Sequence, residues 1–371
     1  MRKYHPVRVR LFLELLETRA LLSSDLTGNL VLSLKPGLAG ALADTSEIAL
    51  AAGARLQPTS IANVFQVIGA GNNTAALLQR FAADANVRFV EPETLVHTDL
   101  LPNDPKFQDG TLWGLNGANG IQAPAAWDVT TGSSKMVIAD IDTGMDYNHP
   151  DLYLNVWLND AEIPASRMNN LIDVNGDGVI DFRDLNDPRN QGPGKITDVN
   201  GDGRIDAADI LAPMIVDANG NDTGAGGWVN PQKPNTQDGD TAHPDDLVGW
   251  NFVANNNNPF DDNQHGTHTA GTIGAVGNNS VGVVGVNWQV DIMPVKFLDA
   301  SGSGSDTAAA EAIEYSIKHG ARLSNNSWGG ADNTTVLYNA IQDANAAGQI
   351  FVAAAGNSGQ NTDTSPNYPS A

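Results

Sequence analysis

The sequence predicts an α/β fold, a doubly wound and mostly parallel sheet, preceded by a small α+β unit. Three observations carry this reading. Apolar runs at 135–142, 291–298, 321–327 and 349–356 read as buried strands; helical stretches at 306–319 and 334–347 separate the later ones; and 371 residues suffice for two domains, or for one large domain with appendages. Strands and helices alternating at this spacing pair in parallel, with ligands at the strands' carboxyl ends.

In chain order, residues 1–26 begin basic, but Glu14 and Glu17 interrupt what would be the apolar stretch of a secretion signal. Residues 27–98 read as one small unit: strand-like at 29–36, helical at 45–53, a strand at 60–70, a helix at 73–84 and a strand at 87–93. A loop at 98–110 leads into the larger unit, 99–371. Within it, 159–246 is rich in Asp, Asn, Gly and Pro, breaks the rhythm of strands and helices, and is expected to be a surface insertion.

The formal net charge of -23 argues against nucleic acid and anionic membranes as partners, since phosphate binding needs clustered Lys and Arg. Acidity on this scale suggests calcium instead. The absence of cysteine excludes thiolate zinc sites, cysteine nucleophiles and disulfides. No apolar run reaches the roughly 18 residues of a membrane span.

Three motifs carry chemistry. "VIADIDTGMDYNHPDL" ends a buried strand at Asp142 and turns at once, placing a carboxylate at the sheet's carboxyl edge. "HGTHTAGTIGAV" offers a close-packing helix whose first turn presents His265. "FVAAAGNSG" ends another strand on small residues, leaving Asn357 on a loop. Two acidic loops, 173–184 and 198–209, repeat D-x-N-x-D-G-x-x-D-x-x-D: side chains of Asp173, Asn175, Asp177, Asp181 and Asp184, and of Asp198, Asn200, Asp202, Asp206 and Asp209, with the carbonyls of Val179 and Arg204, form the oxygen set that Ca2+ takes. A dockerin-type reading of this pair, with a cohesin partner, is weakened by Pro213, which cuts short the helix such a module needs.

The order Asp142, His265, Asn357 resembles the subtilisin-like serine proteases (subtilases), especially their thermitase-like branch, over roughly 99–371. The resemblance implies that Asp142 orients the imidazole, that His265 is general base and then acid, and that Asn357 donates to the oxyanion. It implies that Gly302, Ser303 and Gly304 line one side of an extended peptide and Ser327, Trp328 and Gly329 the other, with Ala354, Ala355 and Gly356 as a wall of the primary specificity pocket. It also implies a third Ca2+ site from Asp104, Asp151, Asn279 and the carbonyls of Val281 and Val283. His268 is expected to be a packed, hydrogen-bonded core histidine.

Leu13, Glu14, Glu17 and Arg19 resemble a leader found on many planctomycete surface and secreted proteins. A secreted or cell-surface, monomeric precursor is therefore expected, acting on proteins or peptides, with the 27–98 unit as its propeptide and intramolecular inhibitor. There are two departures from the family pattern. Asp140 places a second carboxylate on the face of Asp142, where the family has an apolar residue. No Gly-Thr-Ser, the family's nucleophile motif, occurs in residues 1–371, so the chain is expected to stop before its serine and to be inactive as it stands.

Two other readings compete. A calcium-dependent binding protein would keep the fold without the chemistry. A dinucleotide-binding protein is suggested by Gly69-x-Gly71 between a strand and a helix, with Glu91 ending a strand further on, although Thr74 replaces the third glycine.

Overall fold

Leu30, Leu32 and Leu34 recur at every second residue and are buried, the pattern of a strand with one face in a core. They belong to the first of two compact units, residues 1–99 and 100–371. The structure, a computed structural model, describes residues 26–37, 41–69, 71–94 and 100–371. The leader residues Leu13, Glu14, Glu17 and Arg19 lie outside these.

The first unit runs β1 (Leu26–Leu34), α1 (Ala41–Ala51), β2 (Arg55–Pro58), β3 (Val64–Ile68), α2 (Thr74–Ala82) and β4 (Val87–Thr94). Its sheet order is β2-β3-β1-β4, and every pair is antiparallel. Leu77 and Phe81 of α2 complete a core with Leu30, Leu32 and Val67. Short, mostly exposed β2 carries no apolar run and was not anticipated. This topology contradicts the dinucleotide reading, which needs neighbouring parallel strands: here β1 lies between β3 and β4. Gly69 and Gly71, both at positive φ, simply turn the chain from β3 towards α2.

The second unit opens with three short helices, α3 (Pro105–Gln108), α4 (Trp113–Asn116) and α5 (Ala123–Trp127). Then follow β5 (Gly132–Asp142), α6 (Ala165–Met168), α7 (Phe182–Leu185), α8 (Ala207–Leu211), a hairpin of β6 (Met214–Val216) and β7 (Asp222–Gly226), and β8 (Trp250–Asn251). The chain continues through α9 (His265–Gly274), β9 (Gln289–Lys296), α10 (Asp306–Lys318), β10 (Leu323–Asn326), α11 (Thr335–Ala346) and β11 (Ile350–Ala353). The main sheet has the order β11-β10-β5-β9-β8 and is parallel throughout. Strand alternation divides its side chains between two cores. Ile138, Val290 and Ile292 face α9, whereas Ala139, Ile141, Met293 and Val295 face α10 and α11. Helices on both faces make the sheet doubly wound, as the sequence predicts.

The expectation of a surface insertion at 159–246 needs correction. Ile163, Ile180, Phe182, Leu185, Ile196, Ile205, Ile210 and Trp228 are buried in one core with Ile138 and Ile292. Among so many Asp and Gly residues these apolar side chains are too widely spaced to show a period. Each still contributes about 1.5–3 kcal/mol when fully buried.

Candidate active site

Parallel strands deliver their carboxyl ends to one edge, and β5 ends there on Asp142, whose side chain is fully buried. Gly144, at φ +104°, lets the chain leave the strand at once, and a side chain at Gly266 would collide with the Gly144 carbonyl oxygen. Two glycines thus bring the first turn of α9 against the end of β5. The Thr143 hydroxyl accepts from Gly266 N at 2.9 Å and donates to Asp261, which also accepts from the amides of Asn263, Gln264 and Thr267. Gln264 takes φ +92°, an unfavourable value for a residue with a side chain, immediately before His265.

The result is a contact of 2.7 Å between His265 Nδ1 and Asp142 Oδ1, which also accepts from Thr143 N. Asp142 Oδ2 is buried without a hydrogen-bond partner. The hydrogen bond to Asp142 raises the His265 pKa above 6.5; burial raises that of Asp142, with His265 offsetting part of the rise. An ionised Asp142 makes Nδ1 the donor. Nε2 of the half-exposed ring is then a free lone pair, able to take a proton from a hydroxyl.

Asp140 is buried one step back along the same face. Burial, then the charge of Asp142, pushes its pKa up to about 7. Its partners are Asn325 Nδ2 and Thr269 Oγ1, each at 2.8 Å. Buried Lys296, opposite Asp142 in the sheet, donates to the Thr143 and Leu298 carbonyls and to Asp262, pinning the turn from behind. Sequence reading singled out neither Asn325 nor Lys296. His268 corrects an expectation: it is exposed, because α9 turns Gly266, Ala270 and Gly274 towards the sheet and leaves His268, Gly271 and Thr272 along a groove of about 1110 Å³.

A cleft of about 570 Å³ brings together His265, Gly302, Ser303, Gly304, Ser327, Trp328 and Gly329. The Trp328 ring stands edge-on to Phe297 at 4.9 Å. Ala354, Ala355, Gly356 and Asn357 follow β11 at the same sheet edge but do not line this cleft, and Asn357 is exposed. Asn367, which sequence reading missed, spans the two walls: its Nδ2 donates to Ala354 O at 3.4 Å, and its amide lies against Gly329 and Gly356. Gly330 and Tyr368 exchange backbone hydrogen bonds of 2.8 Å beside it.

In the first acidic loop, Asp173 accepts from the amides of Gly176, Asp177 and Gly178; in the second, Asp198 accepts from Gly201, Asp202 and Gly203. Asn175 and Asn200 accept from Asp177 N and Asp202 N, and Asp177 and Asp202 from Val179 N and Arg204 N. Asp181 with Asp184, and Asp206 with Asp209, form reciprocal caps on α7 and α8, and all four are buried. Asp181 Oδ2 is buried and unpartnered, an orphan that a cation would satisfy. At the third position, Asp104 accepts from Asn278 N and Asp151 from Asn279 Nδ2 and Val283 N, so the loop carrying Val281 wraps two buried carboxylates. Among the described residues, one set of three acidic or imidazole ligand atoms lies within 4.8 Å of one another: Asp238, Asp246 and His319.

Comparison with known proteins bears on this geometry. The model of the subtilase family matches residues 133–371. A thermophilic serine proteinase of Bacillus sp. (strain AK1) is 28% identical over 302 residues, 81% of this chain and 52% of that protein. Thermitase of Thermoactinomyces vulgaris is 30% identical over 268 residues, 72% of this chain and 61% of that protein. Subtilisin E of Bacillus subtilis (strain 168) is 41% identical over 134 residues, 35% of each. The chain thus spans less than two thirds of the length of these relatives. No helix among the described residues is long and apolar enough to cross a membrane.

Proposed function

The chain belongs to the subtilase family, and from that premise we propose that residues 100–371 carry the general base and substrate cleft of a secreted serine endopeptidase. The observation that supports this best is the 2.7 Å contact between His265 Nδ1 and buried Asp142, with His265 on the wall of the 570 Å³ cleft. In this reading His265 Nε2 takes the proton of a serine hydroxyl as it attacks the scissile carbonyl, then returns it to the leaving amine. Asp142 holds the tautomer and stabilises the imidazolium. Asn357 donates to the oxyanion, and an extended peptide runs between Gly302–Gly304 and Ser327–Gly329. Asn367, between Gly329 and Gly356, limits the depth of the primary pocket. Residues 27–98 serve as propeptide, both folding aid and inhibitor, and the two acidic loops and the Asp104–Asp151 pair hold Ca2+.

The nucleophile is the role left unassigned: among the described residues no serine hydroxyl is hydrogen-bonded to His265, and residues 1–371 contain no Gly-Thr-Ser. A second reading is a calcium-dependent binding protein on the same fold. A fluorophosphonate probe, which labels only activated serines, separates the two. The 371 residues alone are expected to remain unlabelled. Joined to the serine-bearing segment of a subtilase, they are expected to be labelled and to hydrolyse casein, His265→Ala abolishing both and Asn357→Ala lowering kcat by about 100- to 1000-fold. A folded fusion that is not labelled would sink the endopeptidase reading. His265-dependent labelling of the 371 residues alone would overturn the assignment of the nucleophile.

A further inference from the structure

Away from the cleft, the chain leading into β8 packs Asp238, Asp240 and Asp246 against the carboxyl end of α10, where His319 sits. The side chains of Asp238, Asp246 and His319 are only 9%, 0% and 6% exposed. Asp240 is already neutralised, by Lys318 at 2.8 Å and His243 at 2.7 Å. Asp238 and Asp246 share the amide of Asn159, at 3.3 and 3.1 Å, and Asp246 also accepts from Tyr315 at 2.7 Å; neither donor carries charge. A third carboxylate, Glu162, is fully buried beside them: one oxygen accepts from Asp238 N at 3.1 Å and the other has no partner. Among the described residues, the side chain of His319 is the cation-forming group within ion-pair distance of Asp238 and Asp246.

That imidazole lies within ion-pair distance of three carboxylates, yet its Nε2 makes no hydrogen bond. His319 Nε2 is buried without a hydrogen bond, 3.4 Å from Asp240 Oδ2 and 3.5 Å from Asp246 Oδ2, and Nδ1 lies 3.9 Å from Asp238 Oδ2. The ring is clamped between Tyr315, at 4.2 Å, and Trp157, edge-on at 5.7 Å, so it cannot swing out to water without opening the core. A buried imidazole nitrogen without a hydrogen bond and a buried carboxylate oxygen without one, among several carboxylates, are costly in an apolar core, and a cation ligated by both kinds of group removes the cost.

We propose that His319, Asp238 and Asp246 bind a divalent transition metal of the zinc–manganese class, with Glu162 as a further carboxylate beside it. The nitrogen ligand sets the class: Ca2+ takes oxygen ligands, whereas imidazole with carboxylates suits first-row metals. Asp238 and Asp246 precede β8 and His319 follows α10, so the ion staples the 159–246 segment to a helix of the main fold. This site is separate from the acidic loops.

The test uses the full chain, stripped with chelator and returned to millimolar Ca2+ so that oxygen-rich sites are filled. Calorimetric titration with Zn2+ alone is expected to show one further equivalent bound. Asp246→Asn, which keeps hydrogen-bonding atoms for Tyr315 and Asn159, and His319→Gln are each expected to weaken Zn2+ at least tenfold. Cobalt replacing zinc in the unmodified chain is expected to give visible absorption bands that saturate at one equivalent, a readout needing no variant to fold. No zinc uptake and no cobalt bands would overturn the proposal. So would unchanged zinc affinity in both variants, which would place the ion elsewhere.

Discussion

Asp140 and Asp142 are two carboxylates on one face of one strand, and their environments set them apart. Asp142 has the imidazole of His265; Asp140 has only the neutral donors Asn325 and Thr269. With its pKa moved from the ordinary 3.8 up to about 7, Asp140 holds a proton in the folded chain that it has lost in the unfolded one between those values. Stability from this residue is therefore present below about pH 4 and lost as pH rises towards 7, by an amount on the order of a few kcal/mol. Asp140→Asn is expected to flatten that fall in urea unfolding measured from pH 4 to 8. It is also expected to lower the His265 titration midpoint, because the Asp140 charge adds to the hydrogen bond accepted by Asp142 in raising it. NMR titration of the imidazole reads this directly, and an unmoved midpoint would show that the Asp140 charge does not act on His265. Asp142 and His265 were legible because each sits inside a local motif of glycines and strand ends. Asn325 and Asn367 were not, since their partners, Asp140 on β5 and Ala354 just past β11, are distant in sequence and no local pattern announces them. His268 was misread because its motif says helix without saying which side of the helix is covered.

Among elements, those with an apolar run or a helical period were legible and those without were not. Strands β5, β9 and β11 each carry a run of apolar residues, and α10 adds a cap, the Ser305 side chain accepting from Ala308 N at 3.1 Å. β2, the β6–β7 hairpin and the one-turn helices α6 to α8 have no period long enough to show. Two of those short helices, α7 and α8, are each capped by the ninth residue of an acidic loop, so cap and loop share carboxylates: Asp181 and Asp206 bond the first turns of helices that carry Phe182 and Ile210 into the core. Ca2+ at either loop is therefore expected to stabilise the packed segment and not merely a surface turn. At a hundredfold excess over Kd one ion contributes about 2.7 kcal/mol. Chelation is expected to lower the Tm of the full chain, and Asp173→Ala with Asp198→Ala to remove much of that response. An equal Tm with and without Ca2+ would reject the loops as sites.

At the scale of the molecule, the main sheet is assembled from strands far apart in the chain. Its central pairing, β5 with β9, sets Asp142 opposite Lys296, with the 159–246 segment and α9 between them in sequence. Non-local parallel pairing of this kind folds slowly, because the loop must close before any contact rewards it. Refolding of the full chain from denaturant, followed through its seven tryptophans, is expected to take on the order of seconds or longer; completion in milliseconds would contradict this. The same pairing has a meaning during synthesis. At about 5–20 residues per second, β5 is synthesised roughly 8 to 30 s before the last residue of β9 exists. Through that interval an eleven-residue strand waits with neither central neighbour made, and its chance of joining a wrong strand is set by the pace of translation, not by the stability of the finished sheet.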